Sequence, residues 1–208
     1  VFLFDRMMNV DESLFEAAVV SDMAAQGRMA VQWLKEQELP EYNVVHIQGA
    51  MGSDAQIGRT TALDDEFAKG TMNCVIQQTA TWDEATAKQI VESVINSGEK
   101  FNVIYAENDG MAKGAVAALD EAGITHGVDK EVIIIGFDCN KWALRELLAG
   151  NWNLDVQCSP FQADKIDEMI KDLEAGKTLP EKIVINDETY FDARTITQED
   201  IDKYGLGD

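Results

Sequence analysis

The chain alternates short apolar segments with amphipathic segments over most of its 208 residues. Residues 103–123 give the clearest example: an apolar run at 103–106, a polar turn at 107–109, and apolar side chains at helical spacing over 111–122. A continuous apolar run is typical of a strand covered on both faces, and a spacing of three to four residues is typical of a helix. Because Gly123 is suited to end a helix, the segment predicts one strand, one sharp turn and one helix.

The same unit recurs along the chain. Strands are predicted at 1–4, 43–49, 74–79, 103–106, 132–137, 154–157 and 182–185. Helices are predicted from about residue 23 and at 57–70, 83–97, 111–122, 140–150 and 161–176. Strands that alternate with helices of this length favour the α/β class, with a doubly wound parallel sheet, right-handed crossovers and helices on both faces.

Polar residues follow the strand at 103–106. Glu107, Asn108 and Asp109 stand where that strand ends and a helix begins. In open parallel sheets this edge faces the ligand crevice. All three are therefore candidates for binding.

Charge and hydropathy exclude several classes of partner. The 38 acidic and 17 basic residues give a net charge of −21, which repels a phosphate backbone and leaves no basic stripe for nucleic acid. No apolar run approaches the ~20 residues that span a bilayer, and no signal segment stands at the start. We expect neither nucleic-acid binding nor direct membrane insertion.

Motifs for chemistry are missing from the sequence. The three cysteines, Cys74, Cys139 and Cys158, have no metal-site spacing, and His46 and His126 have no partners at motif spacing. The phosphate-binding glycine motifs and the GxSxG nucleophile motif are absent as well. We therefore predict no metal, no cofactor and no catalytic residue.

The start of the chain does not fit a self-contained domain. The strand at Val1–Phe4 is followed by residues 7–21, which we predict to be an extended stretch before the first helix. A strand this apolar needs strands on both sides. The sequence thus predicts that upstream residues are missing, and that Val1–Phe4 is disordered, packed on the carboxy-terminal lobe described below, or paired with another copy.

Six segments carry a family resemblance: VFLFDR (1–6), VVSD (19–22), QGAMGSDAQIGR (48–59), YAENDGMAKGA (105–115), IIGFD (134–138) and VQCSP (156–160). As an ordered set they resemble the sugar-binding proteins of bacterial ABC importers, of the ribose and galactose type. That fold, the type I periplasmic binding protein fold, is shared by the effector domains of lactose-repressor-like regulators. The Asp5-Arg6 pair, the spacing of Arg59 and the tail LPEKIVINDETYFD (179–192) resemble the galactofuranose-binding branch most.

The resemblance implies two lobes joined by three crossovers, here near Val19, Phe137 and Cys158. It also implies that roughly the first hundred residues of a whole member are absent. On this interpretation 1–20 and 138–159 are remnants of the amino-terminal lobe, and 21–137 and 160–208 form the carboxy-terminal lobe.

The resemblance further implies a set of ligand-binding residues: Asp5, Arg6, Asp22, Arg59, Trp82, Asn108, Asp138 and Gln157. Carboxylates accept from sugar hydroxyls, an arginine donates in a planar fork, and an amide does both. Trp82 would stack on the sugar ring, or alternatively cover the start of the next helix. The alternative for Arg59 and Asp138 is a surface ion pair. Met23, Gln157 and Cys158 depart from the family pattern, and Gln157 is a substitute for the polar amide that the family usually has near the position of Cys158.

The function implied is the substrate-binding component of an ABC-type sugar importer. It would capture a monosaccharide (galactofuranose, galactose or ribose type) in the cleft between two lobes and present it to a membrane permease. Such a protein is not an enzyme and is periplasmic or extracellular, anchored to the cell surface if Gram-positive. The alternative is the effector or sensor domain of a sugar-responsive regulator or receptor, and an enzyme on the same fold is third. We expect residues 1–208 by themselves to bind sugar weakly or not at all.

Overall fold

The computed structural model describes residues 1–207. Within them the strands are β1 (Phe2–Asp5), β2 (Ala17–Val20), β3 (Asn43–Gln48), β4 (Asn73–Thr79), β5 (Val103–Ala106), β6 (Ile133–Asp138), β7 (Leu154–Gln157), β8 (Ile183–Ile185) and β9 (Tyr190–Asp192). The helices are α1 (Met23–Glu36), α2 (Asp54–Lys69), α3 (Glu84–Ser97), α4 (Asp109–Ala122), α5 (Lys141–Leu148), α6 (Ala163–Glu174) and α7 (Gln198–Tyr204). The predicted alternation of strands and helices is confirmed, whereas β2, β9 and α7 had no counterpart in the prediction.

The chain divides into two compact units. Unit 1 consists of Val1–Asp22 and Cys158–Glu188, and unit 2 of Met23–Gln157 and Thr189–Asp208. This grouping differs from the predicted one, because β6 and β7 pair within the sheet of unit 2 and β8 pairs with β2 in unit 1. No unit boundary falls at Phe137, which lies inside β6.

Unit 2 is built on a six-stranded sheet of order β4-β3-β5-β6-β7-β9. The pairs from β4 to β7 are parallel, and β9 joins β7 in the antiparallel sense. The α/β fold with a parallel sheet is therefore confirmed. Because the strands run parallel, the carboxyl ends of β3 to β7 meet at one edge, which we call the carboxyl edge of unit 2.

Apolar side chains cover both faces of this sheet, as alternation along a strand requires. On one face Val45 and Ile47 of β3 join a cluster with residues of α3, α4 and α5. On the other face Val44 of β3 and Tyr105 of β5 join a cluster with residues of α1 and α2. The central strands β3, β5, β6 and β7 are therefore buried on both sides, as their apolar runs predicted, whereas β4 at one edge of the sheet is partly exposed.

Helix α2 begins three residues before the predicted start. The Ser53 side chain accepts a hydrogen bond from the backbone N–H of Gln56 and so caps the helix at Asp54. Helix α4, also in unit 2, ends at Gly123, whose φ of +69° lies in the left-handed region that favours glycine. The N-cap of a helix that follows a parallel strand sets where that helix begins at the carboxyl edge.

Unit 1 contains a parallel three-stranded sheet of order β1-β2-β8. All residues of β2 are buried: Ala17 and Val19 pack with Met169 of α6, while Ala18 and Val20 pack with Phe15 on the other face. The prediction that residues 7–21 form an extended stretch without a strand is wrong. So is the prediction that Val1–Phe4 lacks a neighbour within its own segment, because β1 pairs with β2 from Phe2 to Asp5.

None of the helices in residues 1–207 combines the length and the hydropathy needed to cross a bilayer.

Candidate functional site

The carboxyl edge of unit 2 collects the polar residues that follow its strands. Trp82 comes three residues after β4, Asn108 two residues after β5, and Asp138 is the last residue of β6. Arg59 lies in α2, and its guanidinium reaches the same edge through a hydrogen bond to the backbone of Glu107. The structure therefore brings these predicted residues to one edge of one sheet.

Arg59 is held by three directed hydrogen bonds. It donates from Nε to Gln26 Oε1 (3.0 Å), from Nη1 to the Glu107 carbonyl (2.5 Å) and from Nη2 to Asp138 Oδ1 (3.0 Å). Its guanidinium carbon also lies 4.8 Å from the centre of the Phe137 ring. The side chain of Arg59 is only 3% exposed, against 31% for Asp138, so the pair is not the surface ion pair of the alternative interpretation. Arg59 fixes the direction in which Asp138 points.

Asp138 stands on an unusual backbone turn. Its φ is +108° and that of Cys139 is +63°, in a region that non-glycine residues rarely adopt. Such residues persist only where the surroundings over-determine them, and they concentrate at functional sites. Here the Cys139 N–H donates to Asp155 Oδ1 (3.3 Å) and the Asn140 N–H donates to Asp109 Oδ2 (2.8 Å). The turn therefore depends on two carboxyl groups that lie beneath it.

Asn108 has a divided role. Its Oδ1 accepts from the backbone N–H of Met111 (2.8 Å) and caps α4. Among residues 1–207 its Nδ2 meets no hydrogen-bond acceptor, and the side chain is partly exposed. Within this structure the amide of Asn108 can serve the edge mainly as a donor, since the oxygen is already engaged.

Trp82 lies against the end of β3. A Cβ on Gly49 would overlap the indole ring, so only glycine permits the ring to approach this backbone. The ring is half-buried on the apolar cluster that includes Ala80 and Ala87, and the residue has φ +69°. Trp82 therefore covers the start of α3 and also presents part of its ring at the carboxyl edge.

Glu107 is an interior residue rather than a ligand contact. Its fully buried carboxylate accepts from the Gly49 N–H (2.7 Å) and the Thr60 hydroxyl (2.5 Å), and it lies 2.9 Å from His46 Nε2. Sequence spacing could not reveal the last contact, because the two residues are 61 positions apart. This network joins the ends of β3 and β5 and supports the edge from within.

Asp109 and Asp155 are completely buried carboxyl groups. Burial raises the pKa of Asp109 well above its ordinary value, and the neighbouring charges of Asp155 and Asp138 raise it further. Burial likewise raises the pKa of Asp155, to about 8. Asp109 was a sequence candidate for binding, but the structure places it under the turn. No signal in the sequence marked Asp155.

The amide of Gln157 is engaged with the neighbouring strand segment. Its Oε1 accepts from the backbone N–H of Thr189 (3.4 Å), and the residue is 7% exposed at the end of β7. Its predicted role as a ligand-binding substitute stays a prediction.

Three predicted residues lie in unit 1. Asp5 ends β1 with φ +73°, and its Oδ2 accepts from Arg6 Nε at 2.8 Å. The backbone N–H of Asp5 donates to Gln162 Oε1 (2.6 Å). Asp22 is the last residue of the first segment of unit 1 and is partly exposed. Their roles in binding stay predictions.

Comparison with known proteins identifies the family. The model of the periplasmic binding protein domain matches residues 1–178. The galactofuranose-binding protein YtfQ of Escherichia coli (strain K12) is 28% identical over 213 residues, covering 100% of this chain and 66% of that protein. The chain spans 55–66% of the length of the first curated relatives it matches.

Two solved structures share the fold. The periplasmic binding protein component of the arabinose ABC transporter from Shewanella sp. ANA-3, bound to α- and β-L-arabinofuranose, is similar with a TM-score of 0.88 and 26% identity over 98% of this chain and 68% of that one. A galactofuranose binding protein is similar with a TM-score of 0.85 and 28% identity over 98% of this chain and 70% of that one. The predicted resemblance is confirmed, and the chain belongs to the periplasmic binding protein domain family.

Proposed function

We propose that this chain serves in the substrate-binding component of a bacterial ABC-type sugar importer and recognises a monosaccharide of the galactofuranose, galactose or ribose type. The observation that carries the proposal is the buried Arg59, which aims the carboxylate of Asp138 at the carboxyl edge of unit 2. The family and the furanose-binding relatives support the choice of sugar.

The groups at this edge suit a neutral polyol. Asp138 offers a partly exposed carboxylate that accepts from hydroxyl groups, and Asn108 offers N–H donors. Trp82 supplies an aromatic surface for the apolar face of a sugar ring. Binding of this kind needs no chemical step, so the protein is proposed to be a binding protein and not an enzyme.

Location, partner and lobe assignment follow from the same proposal. The protein would work outside the cytoplasmic membrane, in the periplasm or at the cell surface, and deliver its sugar to a membrane permease. We assign unit 2 to the carboxy-terminal lobe of the family and unit 1 to part of the amino-terminal lobe. Asp5, Arg6, Asp22 and Gln157 are proposed as further sugar contacts, as the family resemblance implies.

Titration calorimetry with a panel of sugars tests the proposal. The panel includes galactofuranose, L-arabinofuranose, galactose, ribose and glucose, and the protein is the product of the full open reading frame that contains this chain. Removing one partner of a charged hydrogen bond costs about 1.5–3 kcal/mol, so Arg59→Ala should weaken binding of the preferred sugar roughly ten- to a hundredfold. Residues 1–208 by themselves should bind weakly or not at all.

Arg194→Ala is the matched control. Arg194 is also an arginine of unit 2 paired with an aspartate, but its side chain is 56% exposed and its partner is Asp129. This variant should bind like the parent protein. The proposal fails if no sugar of the panel binds, or if Arg59→Ala binds the preferred sugar as tightly as Arg194→Ala does.

A further inference from the structure

The turn after β6 is held by carboxyl groups from two other elements. Asp155 of β7 accepts the Cys139 N–H through Oδ1, and Asp109, the first residue of α4, accepts both the Asn140 N–H (2.8 Å) and the Asn140 Nδ2 (2.9 Å) through Oδ2. Cys139 and Asp138 both have positive φ, and together they form the turn that sets the direction of the Asp138 side chain. The two carboxyl groups therefore fix the backbone on which the proposed sugar contact stands.

Each of these carboxyl groups keeps one oxygen without a hydrogen bond. Within residues 1–207, Asp109 Oδ1 and Asp155 Oδ2 are the buried side-chain atoms that have no partner. The two carboxyl groups bind the backbone N–H groups of successive residues, Cys139 and Asn140, so they lie close to one another, and both side chains are fully buried. Two carboxylates in this position would repel each other and leave two desolvated acceptors unsatisfied.

One proton resolves this conflict. A protonated carboxyl group has an O–H that can donate to the other carboxylate, so a single proton satisfies both orphan oxygens at once. Paired carboxyl groups elsewhere share a proton for the same reason. Gly136 leaves the room that this arrangement needs, since a Cβ at that position would lie 2.8 Å from Asp109 Oδ1.

We propose that Asp109 and Asp155 share one proton and act as positioning residues, holding the turn that presents Asp138 to the sugar. The proton sharing stands on the geometry within unit 2. The positioning role rests on the proposed function, because it supposes that Asp138 contacts a ligand. Asp109 and Asp155 themselves are buried and are not proposed to touch the sugar.

The proposal predicts a dependence on pH with a definite sign. The groups that face the pair are Asp138 and Cys139 of the turn, with Arg59 of α2 beyond Asp138. In the folded state the pKa of Asp155 is raised to about 8, above its ordinary value of 3.8. The folded protein thus holds a proton that the unfolded chain has released, so the stability that this proton contributes falls as pH rises from about 4 to about 8. Above pH 8 a second charge under Asp138 should loosen the turn and weaken sugar binding.

Asp155→Asn is the central test variant. An asparagine there can donate its N–H to Asp109 Oδ1 while its oxygen still accepts the Cys139 N–H, so it imitates the protonated state permanently. Asp109→Asn makes the same replacement from the other side and serves if the first variant does not fold. Asp120→Asn changes an exposed aspartate of α4 and is the control.

Two measurements need no sugar. Infrared spectroscopy at pH 7 should show the carbonyl band of a protonated carboxyl group in the parent protein and in Asp120→Asn, and this band should vanish in Asp155→Asn and in Asp109→Asn. Thermal unfolding of the parent should move to lower temperature between pH 4 and pH 8 relative to Asp155→Asn. Absence of the band, or identical pH profiles for the two proteins, would overturn the shared proton.

The third measurement addresses positioning. Sugar affinity of the parent should fall above pH 8, by at most about tenfold per pH unit for one linked proton, while that of Asp155→Asn should stay level. At pH 7 the two proteins should bind within about threefold of one another. If the infrared band is present but affinity follows the same pH profile in both proteins, the positioning role is wrong and the shared proton stands. If no sugar binds the parent, the proposed function fails, and the infrared result still decides the proton.

Discussion

Unit 2 covers its sheet with helices on both faces, whereas unit 1 has three strands and α6 as its long helix. In unit 2 each face of the sheet carries an extended apolar cluster, with the fully buried Phe137 in one and Trp152 in the other. In unit 1 the corresponding clusters are small, and one of them consists of Phe15, Ala18 and Val20 with a few partly buried neighbours. The two units therefore differ in how much apolar surface they remove from water.

Unit 1 also leaves several large apolar side chains exposed on its surface. Val1 is 75% exposed, Phe4 67%, Leu14 63% and Phe161 71%, and all four belong to unit 1. A small assembly with little buried area has little stability to offset the loss of chain entropy. We expect unit 2 to unfold as a cooperative body of its own and unit 1 to unfold under milder conditions.

The distribution of aromatic residues makes this comparison measurable. The tryptophans, Trp33, Trp82, Trp142 and Trp152, all lie in unit 2. Tryptophan fluorescence therefore reports on unit 2, while far-ultraviolet circular dichroism reports on the helices and strands of both units. Two denaturation curves that differ in midpoint would support separate unfolding, and coincident curves at every denaturant concentration would contradict it.

The largest expected effect comes from Phe137→Ala in the core of unit 2. Phe137 is 0% exposed, its ring lies 5.4 Å from that of Tyr105, and it faces the Arg59 guanidinium. Loss of a buried phenylalanine ring typically costs about 3–5 kcal/mol of unfolding free energy. Denaturant unfolding followed by tryptophan fluorescence should show this loss. A change below about 1 kcal/mol would mean that the core of unit 2 is less closely packed than the structure has it.

Phe15→Ala makes the same replacement in unit 1. Phe15 is 3% exposed, but its cluster is small and open to collapse, so we expect a smaller cost of about 2–3 kcal/mol. Circular dichroism should detect the loss, and hydrogen exchange should quicken at the backbone of Ala17–Val20. The fluorescence midpoint of unit 2 should stay in place. If it moves by as much as in Phe137→Ala, the two units do not unfold separately.

Glu66→Gln sharpens the comparison through an electrostatic feature of unit 2. The Thr71 hydroxyl, Lys69 and Lys35 all donate to the Glu66 carboxylate, and these bonds, led by that from Thr71, lower its pKa from 4.5 to about 2. The variant should lose about 1–2 kcal/mol at pH 7, as expected for hydrogen bonds to a charged group.

The sign of its pH dependence follows from the lowered pKa. The contribution of Glu66 is present above about pH 4.5 and is lost as pH falls towards 2, so the parent and the variant should converge in acid. Fluorescence-detected unfolding at pH 7 and at pH 3 measures this, with Asp65→Asn, an exposed neighbour, as the control. If the parent and Glu66→Gln differ in unfolding free energy by the same amount at both pH values, the lowered pKa of Glu66 does not contribute to stability as stated.

The smallest effect is expected for Phe161→Ser on the surface of unit 1. Phe161 is 71% exposed, so replacing its ring removes little buried apolar surface. The unfolding free energy should therefore change by less than about 0.5 kcal/mol. Circular dichroism measures it. A cost of 2 kcal/mol or more would show that the ring is covered in solution, and sedimentation would then tell whether a second copy covers it.

The site shows how far sequence reasoning reached. Arg59, Asn108 and Asp138 were predicted as binding residues through the family resemblance. The structure gathers them at one edge because each follows or reaches the end of a parallel strand. Their supports were not predictable in the same way. Asp155 accepts from Cys139, 16 positions away in the chain, and His46 contacts Glu107, 61 positions away.

The sequence by itself determined the alternating elements and the parallel sheet, because apolar periodicity and helix caps are local and act within a few residues of one another. It indicated the family through the resemblance of six short segments. The prediction missed β2, although its four apolar residues form a continuous run of the kind that is typical of a strand covered on both faces. Only the tertiary structure decided that residues 138–157 join the sheet of unit 2 and that residues 158–188 join unit 1. Strand pairing and hydrogen bonding between buried polar groups depend on contacts between segments that are distant in the chain. The residues next to a strand or a carboxyl group do not encode which distant partner it will meet.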